Sequence, residues 1–134
     1  MNKARILVVD DDPRLSALVK KILEGTTLYE VQEENRSYNV LSAARNFMPD
    51  AIVLDVDMPG KDGGEVARDI RNDAVLRDTP ILFLTALIAK SDSESKVIER
   101  GGNHYMAKPV DPVLLKECLG YLIKPGNPKP VQTG

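Results

Sequence analysis

Four polar signatures each close a short strand-like run: Asp10-Asp11-Asp12, Asp55-Val56-Asp57, Thr85, and Lys108. Singly, each has an ordinary explanation. Asp12 before Pro13 is a helix cap, and an aspartate before Met58-Pro59-Gly60 is turn chemistry. Threonine is common in strands, and a Lys-Pro pair fits any loop. Their joint placement is harder to explain structurally. Bringing Asp10, Asp11 and Asp55 together would raise carboxylate pKa values through repulsion and desolvation, which fold stability alone would not select. A hard divalent cation among them resolves the conflict, since Mg²⁺ takes oxygen ligands, usually one or two carboxylates with retained waters. A carboxylate beside such a cation can attack a phosphoryl group, because the metal screens the repulsion between two anions. Thr85 and Lys108 would then supply a hydroxyl donor and a compact positive charge for phosphoryl oxygens.

The elements that must position these residues alternate along the chain. Strand-like runs fall at Arg5 to Val9, roughly Leu28 to Gln32, Ala51 to Leu54, Pro80 to Leu84, and His104 to Ala107. The first, third and fourth are almost wholly apolar, as strands covered on both faces should be. The second is mixed and the fifth short and polar, which suits places nearer the sheet edges. Between them lie helical stripes. Leu15, Leu18, Val19, Ile22 and Leu23 line one face of a helix started by Asp12 and Pro13 and ended by Gly25. Val40, Leu41, Ala44 and Phe47 mark a second helix, and Val66, Ala67 and Ile70 a third. A polar fourth is expected from about Ser91 to Arg100, stopped by Gly101-Gly102. A fifth, capped by Asp111 before Pro112, carries Leu114, Leu115, Cys118, Leu119 and Leu122.

Such alternation predicts a doubly wound α/β fold with helices on both faces of a parallel sheet. Ligands of open parallel sheets bind outside the carboxyl ends of the strands, where the strand order reverses. The four signatures sit at those ends. Length and composition agree: 134 residues suit one domain, and 43% hydrophobic with 28% charged residues is ordinary for a globular protein. A net charge of −2 offers no basic field for a phosphate backbone, so direct nucleic-acid binding is not expected. Cys118 is the single cysteine and cannot form an intrachain disulfide. No run reaches the ~20 apolar residues of a membrane span or resembles a signal peptide, so a cytoplasmic location is expected. Residues 1–124 read as the domain. The segment 125–134, with Pro125, Pro128 and Pro130, reads as a flexible tail or a truncated linker.

The stretches ILVVDDDP (6–13), PDAIVLDVDMPGKDG (49–63), ILFLTA (81–86) and HYMAKPVD (104–111) together resemble the receiver domain of bacterial response regulators in two-component signalling. The resemblance covers residues from about 4 to 123. It implies a flavodoxin-like five-stranded parallel sheet in the order 2-1-3-4-5 with five helices. It implies that Asp55 is the phosphoacceptor, taking a phosphoryl group from a kinase phosphohistidine. Mg²⁺ (or Mn²⁺) would be held by Asp11, Asp55 and the backbone carbonyl of Asp57, with Asp10 acting through water. Thr85 and Lys108 would bind the phosphoryl oxygens, and Tyr105 would be an aromatic switch residue that turns inward as Thr85 moves. The Lys108–Pro109 bond is usually cis in this family. Asp57 and Leu87 occupy positions that tune phosphoryl lifetime by admitting or excluding water.

On this reading the protein is a phosphorylation-dependent switch and not an enzyme, although it takes part in its own phosphorylation and dephosphorylation. Its partners would be a sensor histidine kinase or phosphotransfer protein, and a downstream effector protein or output domain. Phosphorylation-dependent dimerisation stays open, as does the choice between a stand-alone receiver and a module of a larger response regulator or hybrid kinase. Residues 4–123 leave no effector domain on this chain, so output through a partner is expected. A flavodoxin-like electron carrier would need a hydroxyl- and glycine-rich loop after the first strand, where this chain has three aspartates. An aspartate-nucleophile phosphatase would carry its Asp-x-Asp pair on the first strand and have a cap domain. His104, the only histidine, reads as a strand-end residue, and Cys118 as a small core residue.

Overall fold

The computed structural model describes residues 3–86, 97–100 and 103–123. The expectations for Leu87, for residues 91–96 of the fourth helix and for the 125–134 tail lie outside those residues.

Six strands, β1 Ala4–Val9, β2 Tyr29–Glu34, β3 Ala51–Asp55, β4 Ile81–Thr85, β5 Val97–Arg100 and β6 Asn103–Ala107, form one sheet in the order β2-β1-β3-β4-β6-β5. The first five in that order pair in parallel. This is the expected flavodoxin-like arrangement, with β6 as the fifth strand of the parallel series. Among the described residues the helices are α1 Pro13–Glu24, α2 Val40–Phe47, α3 Gly63–Asn72 and α4 Pro112–Ile123, with a short 3-10 turn at Ser37–Asn39.

The sheet carries one strand more than expected. Val97–Arg100 is not the end of a helix but a strand antiparallel to β6, with Ile98 opposite Tyr105 and Arg100 opposite Asn103. That register leaves two residues, Gly101-Gly102, between the strands. A Gly-Gly pair after a β-branched Val97-Ile98 is a hairpin signal as much as a helix stop, and here pairing along the sheet edge wins.

Side chains alternate across the central strands and feed two cores. Ile6, Val8, Val53, Leu82, Leu84 and Met106 face α1 and α4, meeting Val19, Leu23, Leu115 and Leu119. Leu7, Val9, Ile52, Leu54 and Phe83 face α2 and α3, meeting Val40, Ala44, Val66 and Ile70. β3 and β4 are buried along their whole length, which is why their sequences are continuous aliphatic runs. Each fully buried Leu or Ile contributes about 1.5–3 kcal/mol, so these cores hold the strand ends in a rigid frame.

The helix starts match their sequence signals. The Asp12 carboxylate accepts from the Arg14 amide with Pro13 in the first turn, and Asp111 accepts from the amides of Val113 and Leu114. α3 begins with a reciprocal capping box between Asp62 and Glu65.

Candidate phosphoryl-transfer site

The carboxyl ends of β1, β3, β4 and β6 converge on one rim, where β1 and β3 lie side by side and the chain winds away in opposite directions. Asp10 follows β1 directly, Asp55 and Thr85 are the last residues of β3 and β4, and Lys108 follows β6. The parallel register ties these ends together. The Val56 amide donates to the Leu84 carbonyl (3.0 Å), and the Lys108 amide to the Thr85 carbonyl (2.9 Å). Asp10, Asp55 and Thr85 are buried, while Asp11 is exposed.

One carboxylate oxygen from each of Asp10, Asp11 and Asp55 lies within 4.8 Å of the other two. The Lys108 ammonium donates to Asp55 Oδ1 (2.9 Å) and Asp10 Oδ2 (3.5 Å). Backbone amides complete the anchoring, with Asp12 N–H donating to Asp10 Oδ1 (2.9 Å) and Asp57 N–H to Asp55 Oδ1 (3.3 Å). Three carboxylates against one ammonium leave an excess of negative charge, all of it on hard oxygen donors. That donor set fits a hard divalent cation.

The strain expected of such a cluster shows at Asp10. Burial pushes the Asp10 carboxyl above the usual aspartate range, and the Asp55 charge adds to this against the pull of the Asp12 amide and Lys108. For Lys108, burial alone would lower the pKa. The hydrogen bond to Asp55 and the charges of both aspartates outweigh it and hold the ammonium above the ordinary lysine range.

Two glycines shape the loop after β3. A Cβ on Gly63 would lie 2.5 Å from the Asp55 carbonyl oxygen and 2.8 Å from Val56 Cα, so α3 can start against the end of β3 only without a side chain there. Gly60 has a φ of +80°, the left-handed conformation that the turn after Pro59 needs. The Lys108–Pro109 bond is cis.

Of the residues singled out from sequence, Asp10, Asp11, Asp55 and Lys108 meet at the rim, and Thr85 stands at the end of the adjoining strand. Asp57 is exposed on the loop, its amide turned to Asp55. Tyr105 is half-buried on the α3 side of the sheet, stacked on Phe83 at 4.9 Å between ring centroids. Leu87 lies outside the described residues. His104 lies within β6, 3.7 Å from the Glu99 carboxylate, and Cys118 is buried on α4 with its thiol pushed up to about 11 by burial. Sequence reasoning passed over Asn35 and Ser37, which reach the two acidic loops from the segment after β2. A polar triplet just after a strand end was the available signal.

In a doubly wound α/β domain ligands bind at the switch point of the sheet, and here that point carries clustered carboxylates suited to a hard cation. The chain belongs to the response regulator receiver domain family, whose model matches residues 6–120. These domains are the signalling switches of two-component systems. The response regulator PleD of Caulobacter vibrioides is 38% identical over 112 residues, covering 84% of this chain and 24% of that protein. The chain therefore spans about a quarter of that relative's length. The chemotaxis protein CheY-3 of Vibrio cholerae is 32% identical over 115 residues, covering 86% of this chain and 88% of that protein. Among solved structures, the receiver domain of the sensor histidine kinase PA1611 of Pseudomonas aeruginosa superposes with a TM-score of 0.75 at 27% identity. That match covers 91% of this chain and 98% of the other, whose active-site cleft coordinates a magnesium ion. Among the described residues, no helix is long and apolar enough to cross a membrane.

Proposed function

We propose that Asp55 accepts a phosphoryl group from the phosphohistidine of a sensor histidine kinase or phosphotransfer protein, and that residues 1–124 form the receiver unit. The observation that carries this reading is the buried Asp55 carboxylate, held by Lys108 and grouped with Asp10 and Asp11. An oxygen of the Asp55 carboxylate attacks phosphorus. The new O–P bond forms as the P–N bond breaks, and its electron pair goes to the imidazole nitrogen, which takes a proton from solvent.

Asp11, Asp55 and the Asp57 carbonyl would hold Mg²⁺ or Mn²⁺, with Asp10 acting through water, and the bound ion would supply the charge that makes one anion approachable by another. Lys108 pairs with a phosphoryl oxygen as the Asp55 charge passes to the acyl phosphate, and the Thr85 hydroxyl donates to another. Tyr105, on the strand beside β4, follows the movement of Thr85 and carries the change to the surface. Asp57 and Leu87 tune the lifetime of the phosphoryl group by orienting or hindering water. The chain is thus a switch and no turnover enzyme. It works in the cytoplasm on a downstream effector protein or an output domain, with 125–134 as a tail or linker.

Phosphoramidate tests this reading, because its P–N bond stands in for phosphohistidine. With Mg²⁺ the protein should take up one phosphoryl group that mild alkali removes. No uptake, or a label stable to alkali, would overturn it.

A further inference from the structure

The segment 35–39, between β2 and α2, touches both acidic loops. On one side, Asn35 Nδ2 donates to the Asp10 carbonyl (2.8 Å), the peptide that leads into Asp11. The same amide group donates to Ser16 Oγ (2.8 Å), and that buried hydroxyl donates in turn to Glu33 Oε1 (2.7 Å). Asn35 is therefore itself fixed. On the other side, Ser37 Oγ donates to the Pro59 carbonyl (3.5 Å) and accepts from the Lys61 amide (3.4 Å). Tyr38 packs against the turn, since a Cβ on Gly60 would fall 2.8 Å from its ring, and the Lys61 ammonium stands 6.0 Å from the ring centroid. Lys61 is tied onward to Asp69 of α3.

Asn35 and Ser37 are two residues apart, so at most about 7 Å of chain separates the two anchor points. A link that short transmits little slack. We infer that residues 35–39 are a strap that sets the gap between the Asp10–Asp11 peptide and the Asp57–Pro59 loop, and that Asn35 and Ser37 are positioning residues for divalent-cation binding. The inference rests on the proposed metal-dependent phosphoacceptor reading. Its physical basis is the demand of Mg²⁺ for near-ideal octahedral geometry, which makes its affinity sensitive to small displacements of the backbone that presents its ligands.

Mg²⁺ titration by calorimetry on the whole chain tests it, with wild type and Asp11→Asn as references. Wild type should bind one Mg²⁺ and Asp11→Asn should lose it. The double variant Asn35→Ala/Ser37→Ala should bind about tenfold more weakly, in the range seen for outer-shell metal-site substitutions. Ser37→Thr, which keeps the hydroxyl, should bind like wild type. Tyr38 is 73% exposed, so Tyr38→Ala tests the same contact without threatening the fold, and it should weaken binding by less than the double variant does. If both the double variant and Tyr38→Ala bind as tightly as wild type while Asp11→Asn does not bind, the strap is refuted and the phosphoacceptor reading stands. If wild type binds no Mg²⁺, that reading fails and the strap falls with it.

Discussion

Lys108 Nζ stands 2.9 Å from Asp55 Oδ1 and 3.5 Å from Asp10 Oδ2, so one ammonium is shared by two carboxylates whose side chains are only 2% exposed. Lysine thus fills part of the role that a metal cation would complete. Removing it leaves two buried carboxylates short of a counter-charge. Lys108→Met should lower stability without metal by about 1–3 kcal/mol, less than for a fully buried pair because the lysine side chain is 26% exposed. Mg²⁺ should bind several-fold more tightly to the variant, since no ammonium competes for the carboxylates. Urea unfolding and Mg²⁺ titration read both effects, and weaker Mg²⁺ binding would contradict the account.

Asp10 contributes the opposite sign. Burial first, and the Asp55 charge with it, raise its folded-state pKa, so its ionised form opposes folding at neutral pH. That opposition is relieved as pH falls through the raised folded-state value towards the unfolded one. Asp10→Asn should therefore raise the metal-free Tm at pH 7 by about 2–5 °C, while Mg²⁺ should stabilise the variant less than wild type. A lower Tm for the variant in thermal melts would count against a strained acidic cluster.

Gly63 tests the coupling of α3 to the site. A methyl group there would sit 2.5 Å from the Asp55 carbonyl oxygen, so backbone must move. Gly63→Ala should cost about 1–3 kcal/mol and shift the Asp55 and Val56 amide resonances. The exposed neighbour Gly64 should accept alanine with little change. Equal stability of the two variants in chemical denaturation would refute the close approach.

Acid stability should depend on Asp73, far from the rim. Its carboxyl accepts from the Val75 amide (2.9 Å), pairs with Arg45 (2.6 Å) and accepts from the Leu76 amide (3.2 Å). These partners hold its pKa below the usual aspartate range, the Val75 amide contributing most. A depressed carboxyl stabilises the fold above its unfolded value, near 3.8, and the benefit is lost as pH falls through the folded value. Wild type should lose stability more steeply than Asp73→Asn below about pH 4, as read from urea midpoints across that range. Parallel curves would show that Asp73 adds nothing.

Most of the frame was legible because burial on both faces leaves a plain record. Ile6–Val9, Ala51–Leu54 and Ile81–Leu84 have to be apolar throughout, and the polar residue that ends each run marks the rim. Asp12-Pro13 and Asp111-Pro112 likewise announced their helices through cap chemistry. The edge was harder to read. Val97–Arg100 is half-exposed to exposed and carries Glu99 and Arg100, a composition equally at home on a polar helix. Only its pairing with Asn103–Ala107 decides its state, and that pairing is a tertiary fact. Asn35 and Ser37 were hidden for a related reason: the polar triplet they belong to marks a loop, but their bonds run to Asp10 and Pro59, 25 and 22 residues away in sequence, and the triplet does not encode those partners.

The central claim is that Asp55 is the phosphoacceptor. Incubation with acetyl phosphate and Mg²⁺ followed by intact-mass spectrometry tests it most directly. Wild type should gain one phosphoryl group of about 80 Da, lost in mild alkali and absent when Mg²⁺ is chelated. Asp55→Asn should gain nothing. Labelling of Asp55→Asn to the wild-type extent would contradict the account.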